Sequence, residues 1–237
     1  MNKIKHLILV FCALISAKIS AQSLSDTEED FTVKKGRLYY SLSFSLDQRK
    51  AENEDQLLRQ VINQDKYDYR VIGNIGYAIK DNMTLGLAGG YGRLKEEITF
   101  LDDNDDEVTS KRIEQGFSIV PNMRNYIPLG KGRLQVLIQT ELGITVGESL
   151  ERVFYTNEID RIDGNFLEVN LGVNPGLLLF FDKNWAFEVT VGAAGLTTRI
   201  DESTLNNDEA NKERVESTSI DLRLNILQLN LGVAFYL

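Results

Sequence analysis

Six charged residues lie in the polar rows of segments in which hydrophobic and polar residues alternate. Successive side chains of a strand point to opposite faces, so these charges lie opposite the hydrophobic row. If that face is enclosed, each charge requires a partner, and ion pairs between the strands are expected. A charged lining of a narrow pore is the alternative chemistry. The six residues are Arg70, Arg124, Glu141, Glu168, Glu188 and Arg223.

The six residues fall at three heights when residues are counted from the ends of their strands. Each height holds one arginine and one glutamate, so we expect an interior held by ion pairs and hydrogen bonds. Such an interior is plugged, and we favour it over an ion-selective lining. From the lowest level upward, the expected pairs are Arg124–Glu188, Arg70–Glu141 and Glu168–Arg223.

The N-terminus has the pattern of a secretory signal peptide. Lys3 and Lys5 precede an apolar run over residues 7–15, and small residues lead up to Ala21. A run of this length is typical of a signal peptide and too short for a membrane anchor, which is the alternative. We therefore predict that residues 1–21 are removed on export, with cleavage after Ala17 as the other choice.

Removal of this segment excludes several chemistries, because His6 and Cys12 are the only histidine and cysteine in the chain. The exported protein would have no disulfide, thiol nucleophile, imidazole metal ligand or Ser–His dyad. No other catalytic constellation is visible, so we predict no enzyme activity and no cofactor. Three lysines and no acid leave with the segment, so the formal net charge falls from −9 to −12. Nucleic acid is therefore an unfavourable partner.

The strands that must position the six charges are clearest at the C-terminus, LQLNLGVAFYL. Its large apolar side chains occupy every second position, and the opposite row is small and polar. The same inversion recurs along the chain, and each apolar row is long enough to cross a bilayer, which takes about 9–11 residues. The predicted strands cover approximately 37–46, 66–79, 83–100, 112–127, 133–147, 165–181, 185–200 and the last segment to residue 237.

The connections between these strands alternate between long and short. The short turns lie near residues 80–82, 129–132 and 182–184, and the long loops cover 47–65, 101–111, 148–163 and 201–216. An even number of strands with this alternation is typical of outer-membrane barrels, which have short periplasmic turns and long extracellular loops. We therefore predict an all-β fold, an eight-stranded antiparallel up-and-down transmembrane β-barrel over residues 36–237. Residues 22–35 are predicted to be a flexible periplasmic segment.

Charged and aromatic residues are also distributed unequally between the long loops and the short turns. The four long loops carry a net charge of −13, whereas the short turns are slightly basic. Five aromatic residues near the short turns suggest a girdle at the membrane interface, although core aromatics near strand ends would give the same pattern. These residues are Tyr77, Tyr126, Phe181, Trp185 and Phe235.

Two features do not fit a regular barrel. Pro121 and Pro175 lie within predicted strands, where proline cannot donate a hydrogen bond, so we expect local bulges there. The apolar row of the last strand also changes from even to odd positions near Ile226–Leu227, which predicts a β-bulge.

Three segments carry a resemblance to a known family. FSIVPNMRNYIPLGKGRL, NLGVNPGLLLFFDKNWAFEVTVGAAGL and the closing LGVAFYL resemble segments of small outer-membrane β-barrel domain proteins. The resemblance covers the chain after about Arg37. It implies that Pro121 and Pro175 are regular features of such barrels. Such proteins usually end on an aromatic residue, whereas this chain ends on Leu237. This difference weakens the tail as a signal for the barrel-assembly machinery, the partner that we expect during insertion.

These observations lead to an expected role in the cell outer membrane. We expect a structural or surface-interaction barrel with acidic extracellular loops, in contact with lipids and lipopolysaccharide, and monomeric. A narrow channel or a carrier for small hydrophobic molecules is the alternative, and a soluble secreted β-sandwich is the remaining rival. The acidic run at residues 102–107 lacks the glycine and spaced glutamate of an EF-hand loop, so we interpret it as solvated. A further hypothesis is that divalent ions bridge it to lipopolysaccharide.

Overall fold

The computed structural model describes residues 31–56, 59–102, 106–156, 158–206, 208–222 and 229–237. The predicted signal peptide and Arg223 lie outside these residues. Within the described ranges, no helix is long and apolar enough to span a membrane. The structure consists of a short 3₁₀-helix (Glu209–Asn211) and the strands β1 (Leu38–Gln56), β2 (Arg59–Lys80), β3 (Met83–Leu101), β4 (Glu107–Leu129), β5 (Leu134–Phe154), β6 (Ile159–Phe180), β7 (Trp185–Val191), β8 (Ala194–Leu205), β9 (Lys212–Asp221) and β10 (Leu229–Tyr236).

The strands form one closed antiparallel ring with eight positions. Strands β1 to β6 each pair with the next strand in the sequence. The seventh position is shared by β7 and β8, which pair with the two ends of β6. The eighth is shared by β9, paired with β8, and β10, paired with β7 and β1. The predicted fold class, an eight-stranded up-and-down antiparallel barrel, is confirmed.

The ring closes between the first and last strands. Tyr39 lies opposite Tyr236, and the ladder continues to Ser45 opposite Asn230. Arg37 fastens this seam at the short-turn end, because its Nη2 donates to the carbonyl oxygens of Lys183 (2.9 Å) and Tyr236 (2.9 Å). Burial lowers the pKa of the Arg37 guanidinium from its ordinary value.

A belt of apolar side chains covers the outside of the ring. Phe117, Leu42 and Ile119 expose 67%, 62% and 61% of their surface, and similar residues continue around every ring position. An apolar surface of this extent is unfavourable in water and matches the lipid-facing band of a membrane barrel. The belt supports the membrane barrel over the soluble sandwich.

Aromatic side chains border this belt on both sides. At the short-turn end, Trp185 packs on Phe235 with ring centroids 4.6 Å apart. At the other end, Tyr91 contacts both Tyr69 (6.3 Å) and Phe117 (5.1 Å). Amphipathic rings are favoured at both membrane interfaces. Tyr126, predicted to belong to the lower girdle, instead points into the barrel and is 3% exposed, because it lies in the inward row of β4.

The long loops predicted from the sequence are largely strands. β2 and β4 have 22 and 23 residues, about twice the length needed to cross a bilayer. Beyond the membrane both faces of a strand meet water, so the sequence loses the alternation that indicates a strand. Pairs across the hairpins hold these extensions, such as Lys111 Nζ to Glu97 Oε1 at 3.0 Å. We call the extensions the crown.

The two strands that contain prolines, β4 and β6, do not have the bulges expected there. The registers of β4 and β6 with their neighbours are the same before and after Pro121 and Pro175. At Pro121, β4 instead loses its pairing with β5 locally. Opposite Pro175, the extra residue lies in the neighbouring strand, at the break at residues 192–193 between β7 and β8. The bulge predicted near Ile226–Leu227 lies outside the described residues.

The segment predicted to be flexible is packed at its C-terminal end. Phe31 and Val33 are 4% and 0% exposed and lie in the mouth of the barrel at the short-turn end. Gln135 Nε2 donates to the Phe31 carbonyl at 2.8 Å, and the amide of Asn82 donates to the Val33 carbonyl at 2.8 Å. The expectation of a flexible lead-in therefore fails for residues 31–35, because the barrel mouth offers them apolar contacts and donors.

Candidate functional site

A cavity of about 830 Å³ occupies the inside of the barrel. Its walls carry hydroxyl, amide and charged side chains together with several glycines, as expected for the inward rows of a membrane barrel. It lies above a closed floor at the short-turn end. We call this cavity the cup.

Five aromatic rings form the floor of the cup. Tyr236 stacks on Tyr39 (5.9 Å between centroids), meets Tyr126 edge-on (6.2 Å) and contacts Phe180 (5.3 Å). Phe31 lies against Phe180 at 5.8 Å. All five side chains are at most 4% exposed. The floor thus combines rings from β1, β4, β6 and β10 with Phe31 of the N-terminal segment. These buried rings fill the short-turn end of the barrel.

Two glycines make room for the Tyr39 ring. A Cβ at Gly76 would lie 2.1 Å from Tyr39 Cε1, and one at Gly86 would lie 2.4 Å from Tyr39 Oη. Both distances are too short for real atoms, so no other residue fits without movement. The Tyr39 hydroxyl then reaches Asn122 and donates to its Oδ1 at 3.2 Å. The glycines therefore position the ring at the centre of the floor.

A buried ion pair lies directly above this floor. Arg124 Nη1 donates to Glu188 Oε2 at 2.9 Å, and their side chains are 5% and 3% exposed. Arg124 Nε donates to Gln139 Oε1 at 2.7 Å, and its guanidinium lies 4.9 Å from the centroid of the Tyr39 ring. The pair and its partner Gln139 form a polar layer that connects β4, β5 and β7 above the floor.

A second group of charges lies at the upper end of the cup around Arg199. Its Nη2 donates to Glu114 at 2.9 Å, its Nε donates to Asp201 at 2.9 Å, and Nη1 lies 3.8 Å from Glu168 Oε2. Its guanidinium stacks 4.0 Å from the centroid of Phe166. Arg112 also donates to Glu114. We call this group the Arg199 collar.

The sequence interpretation missed the centre of the collar for a physical reason. In β7 the odd-numbered side chains face outward. The extra residue at the β7–β8 break shifts the alternation by one, so the odd-numbered side chains of β8, including Arg199, face inward. Glu114 could have been found, because it shares the inward row of Ser118, Asn122 and Arg124.

The structure places the predicted pairs differently at the three heights. Arg124 and Glu188 lie together, whereas Glu168 lies near Arg199, and Arg223 lies outside the described residues. Arg70 and Glu141 both line the cup, but the described residues include no ion pair for either. Glu141 accepts a hydrogen bond from Gln139 Nε2 at 2.5 Å.

Above the collar, the crown encloses a second cavity of about 650 Å³. Arg93 and Gln115 line both cavities, so the polar interior continues upward from the cup. Among the described residues, no group of three or more carboxylate, histidine or cysteine side chains is placed to hold a metal ion. The arrangement can hold water and small polar solutes.

Comparisons with known proteins return solved structures only. No protein-family model and no curated protein matches the sequence. The chain is similar to OprG, an outer membrane protein from Pseudomonas aeruginosa, with 13% identity, a TM-score of 0.41 and coverage of 88% of this chain and 99% of that one. It is also similar to Ail, the attachment invasion locus protein of Yersinia pestis, with 10% identity, a TM-score of 0.37 and coverage of 86% and 99%. The ring and its apolar belt, by their own geometry, have the architecture of a small outer-membrane β-barrel protein.

Proposed function

We propose that the protein is an integral outer-membrane β-barrel with a plugged interior and a structural or surface-interaction role. The short turns and the floor would face the periplasm, and the acidic crown would face the cell exterior. The proposal includes export through the N-terminal signal peptide, insertion by the barrel-assembly machinery, and a monomeric state.

The closed floor is the observation that carries the plugged interior. The five aromatic side chains of the floor and the Arg124–Glu188 pair are almost fully buried, and this packing supports a plug at the short-turn end. A route for ions would require this packing to open. The crown, by contrast, presents long charged hairpins beyond the membrane belt, where a partner could reach them.

Two experiments test this proposal. Fractionation of intact cells with protease shaving should place the protein in the outer membrane, extractable only with detergent, with heat-modifiable gel migration and cleavage in the crown. Planar-bilayer recordings of the pure protein should show no stable conductance. A stable, ion-selective conductance would overturn the plugged interior, and release of the protein without detergent would overturn the membrane barrel.

We further propose that the crown contacts lipopolysaccharide, with divalent ions bridging the acidic run at residues 102–107 to its anionic groups. Support comes from the negative charge of the crown sequence, which cannot approach an anionic surface without counter-ions. Addition of calcium should then raise the thermal stability of the protein in lipopolysaccharide-containing membranes, and a chelator should reverse the effect. Unchanged stability would contradict the bridge.

One observation favours a second function, a carrier for small hydrophobic molecules. Strand β9 pairs with β8, but no described residue of β9 pairs with β1 on its other side. The pairing of β1 with β10 ends at Ser45. Ile220 and Leu222 beside this break are 72% and 80% exposed. A side opening at this height could admit an apolar molecule from the outer leaflet. A disulfide joining the two strand edges should then abolish uptake, while uptake that continues would exclude the side route.

A further inference from the structure

The cup has the dimensions and chemistry of a binding site for a small polar molecule. Its volume of about 830 Å³ falls within the roughly 300–1,000 Å³ of typical ligand sites. It is closed below by the floor, and its walls offer amide groups from Asn74, Asn170 and Asn174. A solute entering from the crown would therefore meet a dead end lined with hydrogen-bonding groups.

Two charges on the cup wall, Arg70 and Glu141, form no ion pair within 4.0 Å among the described residues, and the same holds for Asp68 and Arg93 of the lining. Arg124, Glu188 and Arg199 each form an ion pair within 4.0 Å. Arg70 interacts electrostatically with Asp68, two residues away in the same row, and Glu141 accepts a hydrogen bond from the amide of Gln139. A charge inside a protein is unfavourable unless it is paired or solvated, so these two groups remain available to a ligand.

The strand register explains why neither charge finds a partner beside it. Arg70 lies between Ser45 and Gly92 on the neighbouring strands. Glu141 lies between Asn122 and Gly172 on its two neighbours. All four of these cross-strand neighbours are neutral, and each charged side chain lies over a glycine: a Cβ at Gly92 would be 3.7 Å from Arg70 Nε, and one at Gly172 would be 3.7 Å from Glu141 Oε1.

The positions of the two strands define the geometry that a ligand must match. Arg70 is on β2 and Glu141 on β5, three positions apart in a ring of eight, so they lie on nearly opposite walls. A ligand that satisfies both must carry a negative group at one end and a positive group at the other. A guanidinium binds a carboxylate through two parallel hydrogen bonds, and a carboxylate binds an ammonium group equally directly.

We propose that the cup binds a short zwitterionic peptide, with its C-terminal carboxylate on Arg70 and its N-terminal ammonium on Glu141. The asparagine amides of the wall would pair with the peptide groups between these ends. The inference relies on the proposed function only for the side from which the peptide enters. A hydrophobic molecule would leave both charges without a partner, so it is a poor occupant of the cup.

The test combines end-blocked peptides with neutral variants. Binding of trialanine to the full barrel in detergent micelles is measured by calorimetry, beside N-acetylated and C-amidated trialanine. The free peptide should bind with a Kd at or below about 1 mM. Each blocked peptide should bind about tenfold or more weakly, because one charge-assisted hydrogen-bond set is lost.

The variants assign each end of the peptide to its residue. Glu141→Gln should lose the preference for a free ammonium group but retain the preference for a free carboxylate, and Arg70→Gln should do the reverse. Glu216→Gln and Arg214→Gln, exposed positions of β9, serve as matched controls and should bind like the wild-type protein.

The results of these measurements distinguish failure of the peptide site from failure of the proposed function. Absence of saturable binding by the wild-type protein, or equal binding of free and blocked peptides, would overturn the proposal even if a variant fails to fold. Preferences that do not move with Arg70 and Glu141 would overturn the assignment of the two ends. None of these results would alter the membrane location or the closed floor, which the recordings and fractionation test separately.

Discussion

At the scale of single residues, the barrel depends on charges and rings that fit only one arrangement. Arg124 and Glu188 stabilise each other where both side chains are almost fully buried, and neither has an alternative counter-charge among the described residues of that layer. Breaking a buried pair by removing one member leaves an unpaired charge, which is far less favourable than losing an exposed pair.

The Glu188→Ala variant should therefore lower the free energy of unfolding by about 3 to 5 kcal/mol. Urea unfolding in micelles, followed by heat-modifiable migration, measures the change. Glu213→Ala, an exposed acid of β9, is the control and should change stability by less than about 0.5 kcal/mol. Equal stability of the two variants would show that the pair contributes nothing to the plug.

Glycine positions give a second prediction at this scale. Gly76→Ala should lower the free energy of unfolding by about 1 to 3 kcal/mol, since the new methyl group would overlap the Tyr39 ring and the Leu85 carbonyl oxygen. Gly73→Ala and Gly89→Ala place the same methyl group where nothing lies within 4 Å. These two matched variants should retain the wild-type stability. A loss shared by all three variants would point to backbone flexibility and not to crowding of the ring.

At the scale of elements, the sequence predicted strands well inside the membrane and poorly outside it. Within the belt, lipid on one side and a polar lumen on the other impose a strict alternation that can be read from residue types. In the crown both sides are wet, so hairpins such as the upper halves of β1 and β2 look like charged loops. The inward position of Arg199 could not be predicted, because one extra residue near Gly192 reverses the phase of β8.

The crown hairpins should therefore resist proteases except where a strand is paired on one side. Lys212 and Arg214 in β9 pair only with β8 among the described strands, whereas the exposed Lys95 is held by ladders on both sides. Brief trypsin treatment of intact cells should cut after Lys212 or Arg214 about tenfold faster than after Lys95, because cleavage requires local opening. Mass spectrometry of the released fragments measures the rates. Early cleavage at Lys95 would mean that the upper part of β3 does not persist as a strand.

At the scale of the whole molecule, the barrel has a packed aromatic floor at the short-turn end and the crown at the other. Its outer apolar row follows from counting residues along the strands. The closure of the floor does not follow, because Phe31 and Val33 precede the first strand and carry no periodic pattern. Phe31 packs on Phe180 at the end of β6, which in turn contacts Tyr236 at the end of the chain.

This asymmetry can be tested with single cysteines, since the exported chain is predicted to have none of its own. Ala186→Cys, at a fully buried floor position, should resist a membrane-impermeant maleimide in the intact protein. Deletion of residues 22–35 behind a retained signal peptide should make it reactive from the short-turn side. Ala193→Cys, which lines the cup, should react in both backgrounds. Protection of Ala186→Cys in the truncated protein would show that the N-terminal segment is not part of the seal.

The floor can be completed only late in assembly, because it contains residues from both ends of the chain. Phe31 comes from the beginning of the exported chain and Tyr236 from its penultimate residue, and both pack on Phe180. The seat for the N-terminal segment is incomplete until the last strand has joined the first. A chain that stalls before its final strand therefore lacks the Tyr236 ring and retains an unsealed lower mouth, which would mark it for the quality-control proteases of its compartment.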